Sequence, residues 1–314
     1  MPRAAAVPVA IASAFLAAHG VGASGLARTP QTAFRVGIDM VSLTVTVTDR
    51  ADNYVAGLTE RDFAVTEDGV PQPVSFFMSD HMPLDLAIVL DTSGSMGLGL
   101  RLVQEAACGL ARSLRTEDRG TVVEVKSGAA VPQPLTGDVR EIESAIRRTT
   151  PGGTTGLFDG LYVVLREFAR ERREHRDMRR QALVVLSDGA DNASHLQFED
   201  VIDLARRTGV AAYIVSPKPA PAVVALEPQL FSRAQYSMTT LAREAGGRIF
   251  IASSLKELDR IYGAIASELS NQYELGYTPL RAVADGTFRR VAVRVVSRDD
   301  AKARTRAGYI AARR

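Results

Sequence analysis

One carboxylate and two hydroxyl groups, spaced two residues apart, follow an apolar stretch in the first third of the chain. The stretch is residues 84–90, and the polar residues are Asp91, Ser93 and Ser95. Carboxylate and hydroxyl oxygens are ligands that suit hard divalent cations. The pattern therefore predicts a divalent cation at the end of a buried strand, with a coordination position left for another molecule.

Two later segments carry donors of the same kind. A glycine-rich turn, residues 151–155, supplies the hydroxyls of Thr154 and Thr155, and a second apolar strand, residues 183–189, ends in Asp188. No Cys or His is among these donors, which disfavours zinc and copper and favours Mg²⁺, Mn²⁺ or Ca²⁺. The alternative to a metal site is that Asp91 and Ser93 form a helix N-cap and turn. That alternative would not explain the donors in the two later segments.

The segments that must position these donors alternate between strands and helices from residue 83 to residue 270. Repeated βα units build a largely parallel sheet with helices on both faces. We therefore predict an α/β fold with a doubly wound, mostly parallel sheet of six strands. Pro132 and Pro134 suit an edge strand of this sheet. Ligands of such sheets bind outside the carboxyl ends of the strands, where Asp91 and Asp188 lie.

The segment before this region, residues 33–80, is predicted to be β-structure. Apolar and hydroxyl side chains alternate over residues 41–48, as in a half-buried strand. Residues 63–66 and 74–77 flank the turn 67–69, and this arrangement predicts a hairpin.

The segment after it, residues 271–314, is also predicted to be β-structure. Strands are expected at residues 273–277 and 291–295, with a third at 304–309. The two β segments could pair into one sandwich, and the sequence pattern leaves that question open.

The N-terminus has the pattern of a secretory signal peptide over residues 1–25. Arg3 precedes an apolar run, residues 4–18, and small residues up to Ala23 provide a cleavage site. The alternative is a retained membrane anchor. The run is shorter than the about 20 residues of a spanning helix, and Pro8 interrupts it. We therefore expect cleavage near Ala23, a periplasmic or secreted protein, and no membrane span in the mature chain.

Composition narrows the class of protein. The chain has 314 residues with 46% hydrophobic and 24% charged residues, which is ordinary for a globular protein. A net charge of +2 gives no indication of a nucleic-acid partner or of an acidic membrane surface. The single cysteine, Cys108, excludes an intrachain disulfide and is expected to be buried as a small apolar residue.

Together, the three donor segments resemble the metal-ion-dependent adhesion site (MIDAS) of von Willebrand factor type A (VWFA) domains. The run from Thr155 to Asp159 fits the family's T-x-L-[YF]-D pattern, and Thr154 is the alternative if the register shifts by one. The resemblance implies that the cation, Mg²⁺ or else Mn²⁺ or Ca²⁺, is held by Asp91, Ser93, Ser95, Thr155 and Asp188. It also implies a partner protein whose carboxylate completes the coordination.

Motifs in the flanking segments are similar to those of exported VWFA-related proteins common in Acidobacteria. They include Leu58-Thr59-Glu60-Arg61-Asp62-Phe63, Tyr273-x-x-Gly276-Tyr277 and Arg306-Ala307-Gly308-Tyr309. This wider resemblance covers nearly all of the mature chain. It specifies an architecture more than an activity.

Three functions are compatible with such a site, and we expect the first. It is an exported, metal-dependent binding module of the adhesion type. A metal-dependent hydrolase is less well supported, because the four histidines form no evident acid–base pair and no G-x-S-x-G, HExxH or P-loop motif occurs. A scaffold subunit of an envelope complex, or of an ATP-driven assembly, is the third. The export pattern argues against the ATP-driven assembly.

Overall fold

The computed structural model describes residues 40–79, 82–96, 99–174, 178–217, 228–281 and 285–312. The predicted signal peptide and residues 33–39 lie outside these ranges. The strands are β1 (Val41–Thr48), β2 (Phe63–Glu67), β3 (Val70–Gln72), β4 (Val74–Met78), β5 (Leu84–Asp91), β6 (Arg119–Val125), β7 (Ala129–Thr136), β8 (Arg180–Leu186), β9 (Ala211–Pro217), β10 (Ile249–Ala252), β11 (Gln272–Tyr277), β12 (Phe288–Val295), β13 (Lys302–Arg304) and β14 (Gly308–Ile310). The helices are α1 (Leu100–Arg112), α2 (Val139–Arg148), α3 (Leu157–Glu174), α4 (Phe198–Thr208), α5 (Pro228–Glu244) and α6 (Leu258–Ser270).

Six strands form the central sheet, in the order β10-β9-β8-β5-β6-β7. Neighbouring strands are parallel except at the β7 edge, where β7 runs antiparallel to β6. This edge strand contains Pro132 and Pro134, as predicted. Every residue of β5 is buried, as expected for a parallel strand covered on both faces. The structure thus confirms the predicted fold class.

Alternate side chains of β5 belong to two different hydrophobic cores. Leu86, Ile88 and Leu90 pack in a core to which α1, α2 and α6 contribute. Ala87 and Val89 pack in a core to which α3, α4 and α5 contribute. Because successive side chains of a strand point to opposite faces, three helices cover each face of the sheet. None of the helices described is both long and apolar enough to cross a membrane.

The two flanking β segments pair with one another. One sheet has the order β13-β1-β11-β4 and the other has the order β14-β12-β2-β3. The pairing of β1 with β11 is antiparallel and runs from Val41 opposite Tyr277 to Thr46 opposite Gln272. Both sheets contribute to one core, for example through Leu43 and Val65. Both ends of the described chain therefore build a single β-sandwich.

Two of the predicted strand arrangements are wrong. The turn at residues 67–69 joins β2 to β3, whereas β4, expected as the hairpin partner, pairs with β11 in the other sheet. Pro73 lies between β3 and β4 and has no N–H group to continue a ladder. The strand predicted at 304–309 is two short strands, β13 and β14, which lie in different sheets.

Buried hydrogen bonds join the sandwich to the α/β region. The Tyr213 hydroxyl on β9 donates to Glu268 on α6 at 2.7 Å, and Gln272 on β11 donates to that hydroxyl at 2.9 Å. Arg304 on β13 donates to Glu268 and to the main-chain oxygen of Gly246. Losing one partner of a buried polar group costs about 1–3 kcal/mol, so these bonds hold the two parts in one arrangement.

Candidate metal centre

Asp91 is the last residue of β5, and its side chain has no solvent exposure (0%). It lies opposite Val125 at the end of β6, and the preceding residue, Leu90, lies opposite Leu186 at the end of β8. The carboxyl ends of three adjacent parallel strands therefore lie level with one another. This register brings the residues after β8, Ser187 and Asp188, beside Asp91.

Both carboxylate oxygens of Asp91 accept hydrogen bonds from fixed donors. The main-chain N–H of Ser93 donates to Oδ1 at 3.0 Å. The hydroxyl of Ser187 donates to Oδ2 at 2.7 Å and accepts from the N–H of Gly189 at 3.0 Å. An ionised carboxylate can only accept hydrogen bonds, so the proton of the Ser187 hydroxyl points to Asp91. Each oxygen of Asp91 keeps lone-pair capacity for a cation or a water.

The glycine-rich turn lies against the Asp91 segment. The N–H of Gly152 donates to Thr92 O at 2.9 Å, and the N–H of Gly94 donates to Gly153 O at 3.2 Å. Gly153 has a φ of 75°, in the left-handed region that favours glycine. The structure therefore brings the first two predicted donor segments together through their main chains.

The two threonines of this turn have different environments. Thr155 is buried; its N–H donates to Asn192 Oδ1 at 2.8 Å, and its carbonyl accepts from the N–H of Asn192 at 3.0 Å. Thr154 is exposed, and its hydroxyl donates to Ser127 Oγ at 2.9 Å. Thr155 is thus tied to the loop that follows Asp188, and Thr154 is tied to the loop after β6.

Asp188 is half-buried, and its Oδ1 accepts from the N–H of Ala190 at 3.0 Å. Burial, together with the nearby charge of Asp91, raises the pKa of the Asp188 carboxyl above its ordinary value. The buried carboxylate at the end of β5 and the half-buried carboxylate just after β8 therefore repel one another. A cation beside both would remove that repulsion, so the donor set fits a divalent metal.

The two serines complete the predicted set. Ser93 is buried in the turn after β5. The side chain of Ser95 lies outside the described residues, although its main chain belongs to the short helical turn Gly94–Met96. In the described part of the chain, no group of three or more His, Cys, Asp or Glu side chains is arranged to hold a metal. The other predicted ligands of a site at Asp91 and Asp188 are hydroxyl oxygens, those of Ser93, Ser95 and Thr155.

Two further aspartates near the turn make structural hydrogen bonds. Asp191 Oδ1 accepts from the N–H groups of Leu157 and Phe158 at the start of α3, at 2.7 and 3.3 Å. Asp159 accepts from the N–H of His195 at 3.1 Å and lies 3.1 Å from Nδ1 of its imidazole. These bonds hold the loop after Asp188 against α3.

Sequence inspection missed the residues that orient the donors. Ser187 binds Asp91 and Asn192 binds Thr155, yet neither belongs to the predicted ligand set. The position of Ser187 directly before Asp188, at the end of a buried strand, was the available indication. Asn192 has no comparable pattern, because its contact joins residues 37 positions apart.

Comparison with known proteins concerns mainly the α/β region. The family model of the von Willebrand factor type A domain matches residues 85–264. A search of curated proteins gives no match. The likeness to the exported proteins of Acidobacteria stays a prediction.

A solved structure of a von Willebrand factor type A domain protein shows the same fold. The von Willebrand factor type A structure from Catenulispora acidiphila is 15% identical, with a TM-score of 0.51, and the match covers 87% of this chain and 62% of that one. Proximal thread matrix protein 1 from the mussel byssus, with a zinc-occupied MIDAS motif, is 19% identical with a TM-score of 0.49, and the match covers 65% of this chain. The chain spans about half (49%) of the length of the mussel protein. At 15% identity, the likeness to the Catenulispora structure concerns the fold alone.

Proposed function

Because this chain belongs to the von Willebrand factor type A domain family, we propose that it is a metal-dependent protein-binding module. The proposed cation is Mg²⁺, with Mn²⁺ and Ca²⁺ as alternatives. Its proposed ligands, some of them acting through water, are Asp91, Ser93, Ser95, Thr155 and Asp188. The proposed partner is a protein that presents a carboxylate to the cation.

The observation that carries this proposal is the hydrogen bond from Ser187 to Asp91, because Ser187 directly precedes Asp188 and the bond brings the two aspartates together. The Ser187 hydroxyl fixes Asp91 at 2.7 Å, and the charge of Asp91 acts on the half-buried Asp188. The buried position of Thr155, next to the same loop, supports Thr155 as a ligand in preference to the exposed Thr154.

The charge balance of this set explains the proposed partner. Hydroxyl ligands are neutral, so only the two carboxylates can offset the charge of the divalent cation. They offset it fully only when both of them bind the cation directly. Mg²⁺ usually keeps waters or partner oxygens in its coordination sphere. A carboxylate from another protein would replace such a water and strengthen the coordination. The proposal therefore requires no catalytic base or nucleophile.

Metal binding is the first experiment. Calorimetric titration of the mature protein with Mg²⁺ and Mn²⁺ should show one site, which Asp91→Ala and Ser93→Ala remove while circular dichroism shows a folded protein. Asp203→Ala is the matched control, since its side chain is 60% exposed on α4. Equal metal affinity in all four proteins would refute the ligand assignment.

Partner binding is the second experiment. Immobilised peptides that carry Asp or Glu, and matched peptides with Asn or Gln, would be tested with Mg²⁺ and with a chelator. We expect binding only to the acidic peptides, only with metal, and not by Asp91→Ala. Turnover of ester, peptide or phosphate substrates that disappears in Asp91→Ala would instead favour the hydrolase.

Export is also proposed, from the N-terminal pattern alone. The mature protein is proposed to be periplasmic or secreted, without a stable membrane span. Mass spectrometry of the N-terminus, after cell fractionation, measures both the location and the cleavage position. An intact N-terminus in the cytoplasm would contradict this part of the proposal and leave metal binding unaffected.

A further inference from the structure

A small polar cavity lies between the β-sandwich and the α/β region, away from the Asp91 segment. Its walls come from β1, from the turns after α4 and α5, and from the connection between β13 and β14. The wall residues used below are Ser42, Thr44, Gly209, Gly246, Thr305 and Arg306. The cavity has room for a single particle about the size of a water molecule.

Two hydrogen-bond donors in this wall are buried without a partner. They are the hydroxyl of Thr305 and the Nε–H of Arg306, which have none among the described residues. Buried polar atoms are nearly always hydrogen-bonded, and leaving one unpaired costs about 1–3 kcal/mol. Two such donors on consecutive residues indicate a bound acceptor.

The charge of Arg306 is also not neutralised by a direct ion pair within the described part of the chain. Its Nη2 donates to the main-chain oxygen of Ser42 at 2.9 Å, and the guanidinium lies 5.5 Å from the centre of the Tyr309 ring. Arg172 donates to the main-chain oxygen of Thr208, next to the cavity wall. Burial, together with the positive charge of Arg172, lowers the pKa of Arg306 to about 10.

One carboxylate, that of Glu274, lies behind the opposite wall. It accepts from the Thr44 hydroxyl at 2.7 Å and, at 3.5 Å, from the Ser42 hydroxyl. Burial raises the pKa of Glu274 to about 6, although Arg180 and Arg172 favour its charged form. Glu274 therefore faces the guanidinium groups of Arg172, Arg180 and Arg306. The other carboxylates next to the cavity wall, Glu244 and Glu268, are paired with arginines of their own, Arg206, Arg243 and Arg304. The surroundings of the cavity thus carry excess positive charge.

Two glycines allow the wall to close around this space. Gly209 and Gly246 have φ values of 66° and 79°. A Cβ on Gly209 would lie 2.5 Å from Nη1 of Arg306, and one on Gly246 would lie 2.5 Å from its main-chain nitrogen. The close approach of Thr305 and Arg306 to both turns therefore requires glycine at positions 209 and 246.

We propose that the cavity binds a small monatomic anion such as chloride, held by the Thr305 hydroxyl and the Arg306 Nε–H. A water would satisfy the same donors but would leave the excess positive charge uncompensated. Phosphate or sulfate would not fit in the space of one water. The anion stabilises the junction between the sandwich and the α/β region.

The first test measures unfolding by urea at a constant ionic strength, with sodium gluconate replaced stepwise by sodium chloride. The unfolding midpoint of the wild type should rise with chloride, because a ligand that binds the folded state stabilises it. Thr305→Val and Arg306→Gln should lose this rise. Arg290→Gln, which removes an exposed arginine of the same sandwich, should keep it. An equal chloride dependence in all four proteins overturns the proposal.

The second test locates the anion and does not depend on whether Arg306→Gln folds. Crystals of the wild type soaked in sodium bromide should show an anomalous scattering peak within hydrogen-bond distance of Thr305 Oγ1 and Arg306 Nε. Crystals of Thr305→Val should show a weaker peak or none. A water molecule at this position, with no anomalous signal, overturns the proposal.

Discussion

The hydroxyl of Ser187 donates a 2.7 Å hydrogen bond to Oδ2 of Asp91, although the two residues lie 96 positions apart. This bond connects the ends of β8 and β5, the two strands that carry the aspartates of the candidate metal centre. It accounts for the orientation of a fully buried carboxylate.

We expect Ser187→Ala to weaken metal binding about 10- to 100-fold, the usual effect of removing a group that orients a ligand. The variant should also lose about 1–3 kcal/mol of stability, because Asp91 Oδ2 loses its donor. Calorimetric titration with Mn²⁺ and urea unfolding measure the two effects. Ser187→Thr keeps the hydroxyl and should recover most of the metal affinity. Unchanged affinity in Ser187→Ala would show that the bond does not position Asp91 for metal.

Replacing Asp188 with Asn should separate metal binding from folding. The substitution removes a proposed ligand and also removes the charge that Asp91 repels. We expect Asp188→Asn to lose Mg²⁺ binding while its stability in chelator equals or exceeds that of the wild type. Thermal unfolding with EDTA and with Mg²⁺ tests this, and stabilisation of the variant by Mg²⁺ would contradict it.

The turn that carries Thr155 depends on Gly153. Alanine at this φ of 75° is strained by about 1–2 kcal/mol, and its Cβ would lie 2.7 Å from Ser127 Oγ. We expect Gly153→Ala to reduce both stability and metal affinity. Gly109→Ala is the matched control, because Gly109 is exposed within α1 with open space around it. It should gain about 0.5–1 kcal/mol; equal effects of the two substitutions would refute the role of the turn.

Glu274 should make the stability of the protein depend on pH. Burial raises its pKa in the folded state to about 6, above the ordinary value of 4.5, so the folded state binds the proton more tightly than the unfolded state. The stabilisation is complete below about pH 4.5 and is lost as the pH rises through about 6. It amounts to about 2 kcal/mol, since one pKa unit corresponds to about 1.4 kcal/mol.

Urea unfolding at pH 4.5, 6 and 7.5 measures this effect. In Glu274→Gln, the difference in unfolding free energy between pH 4.5 and pH 7.5 should shift by about 2 kcal/mol relative to the wild type. Asp300→Asn, which alters an exposed carboxylate, should retain the wild-type difference. An identical pH profile in Glu274→Gln and the wild type would show that Glu274 is not the responsible group.

The central sheet was predictable because each of its buried strands is recognisable from a short stretch of consecutive residues. A parallel strand covered on both faces must be apolar along its whole length, and this property marks β5 and β8 in the sequence. Asp91 and Asp188 interrupt those apolar stretches at their carboxyl ends, so their types and positions indicate hard oxygen ligands at one edge of the sheet. The apolar stretches and the aspartates that end them can be recognised from residues adjacent in the sequence.

Contacts between distant residues were not predictable in the same way. Val41 lies opposite Tyr277 in the sandwich, although the two residues are far apart in the chain. Strand β4 pairs with β11 and not with β2. The alternation of apolar and polar side chains does not specify which strand is the partner. The same holds at the metal centre, where Ser187 orients Asp91 and Asn192 holds Thr155 across turns and loops. Residue types and local periodicity thus predict the candidate donors and the sheet. The orientation of each donor depends on hydrogen bonds that form only when the chain is folded.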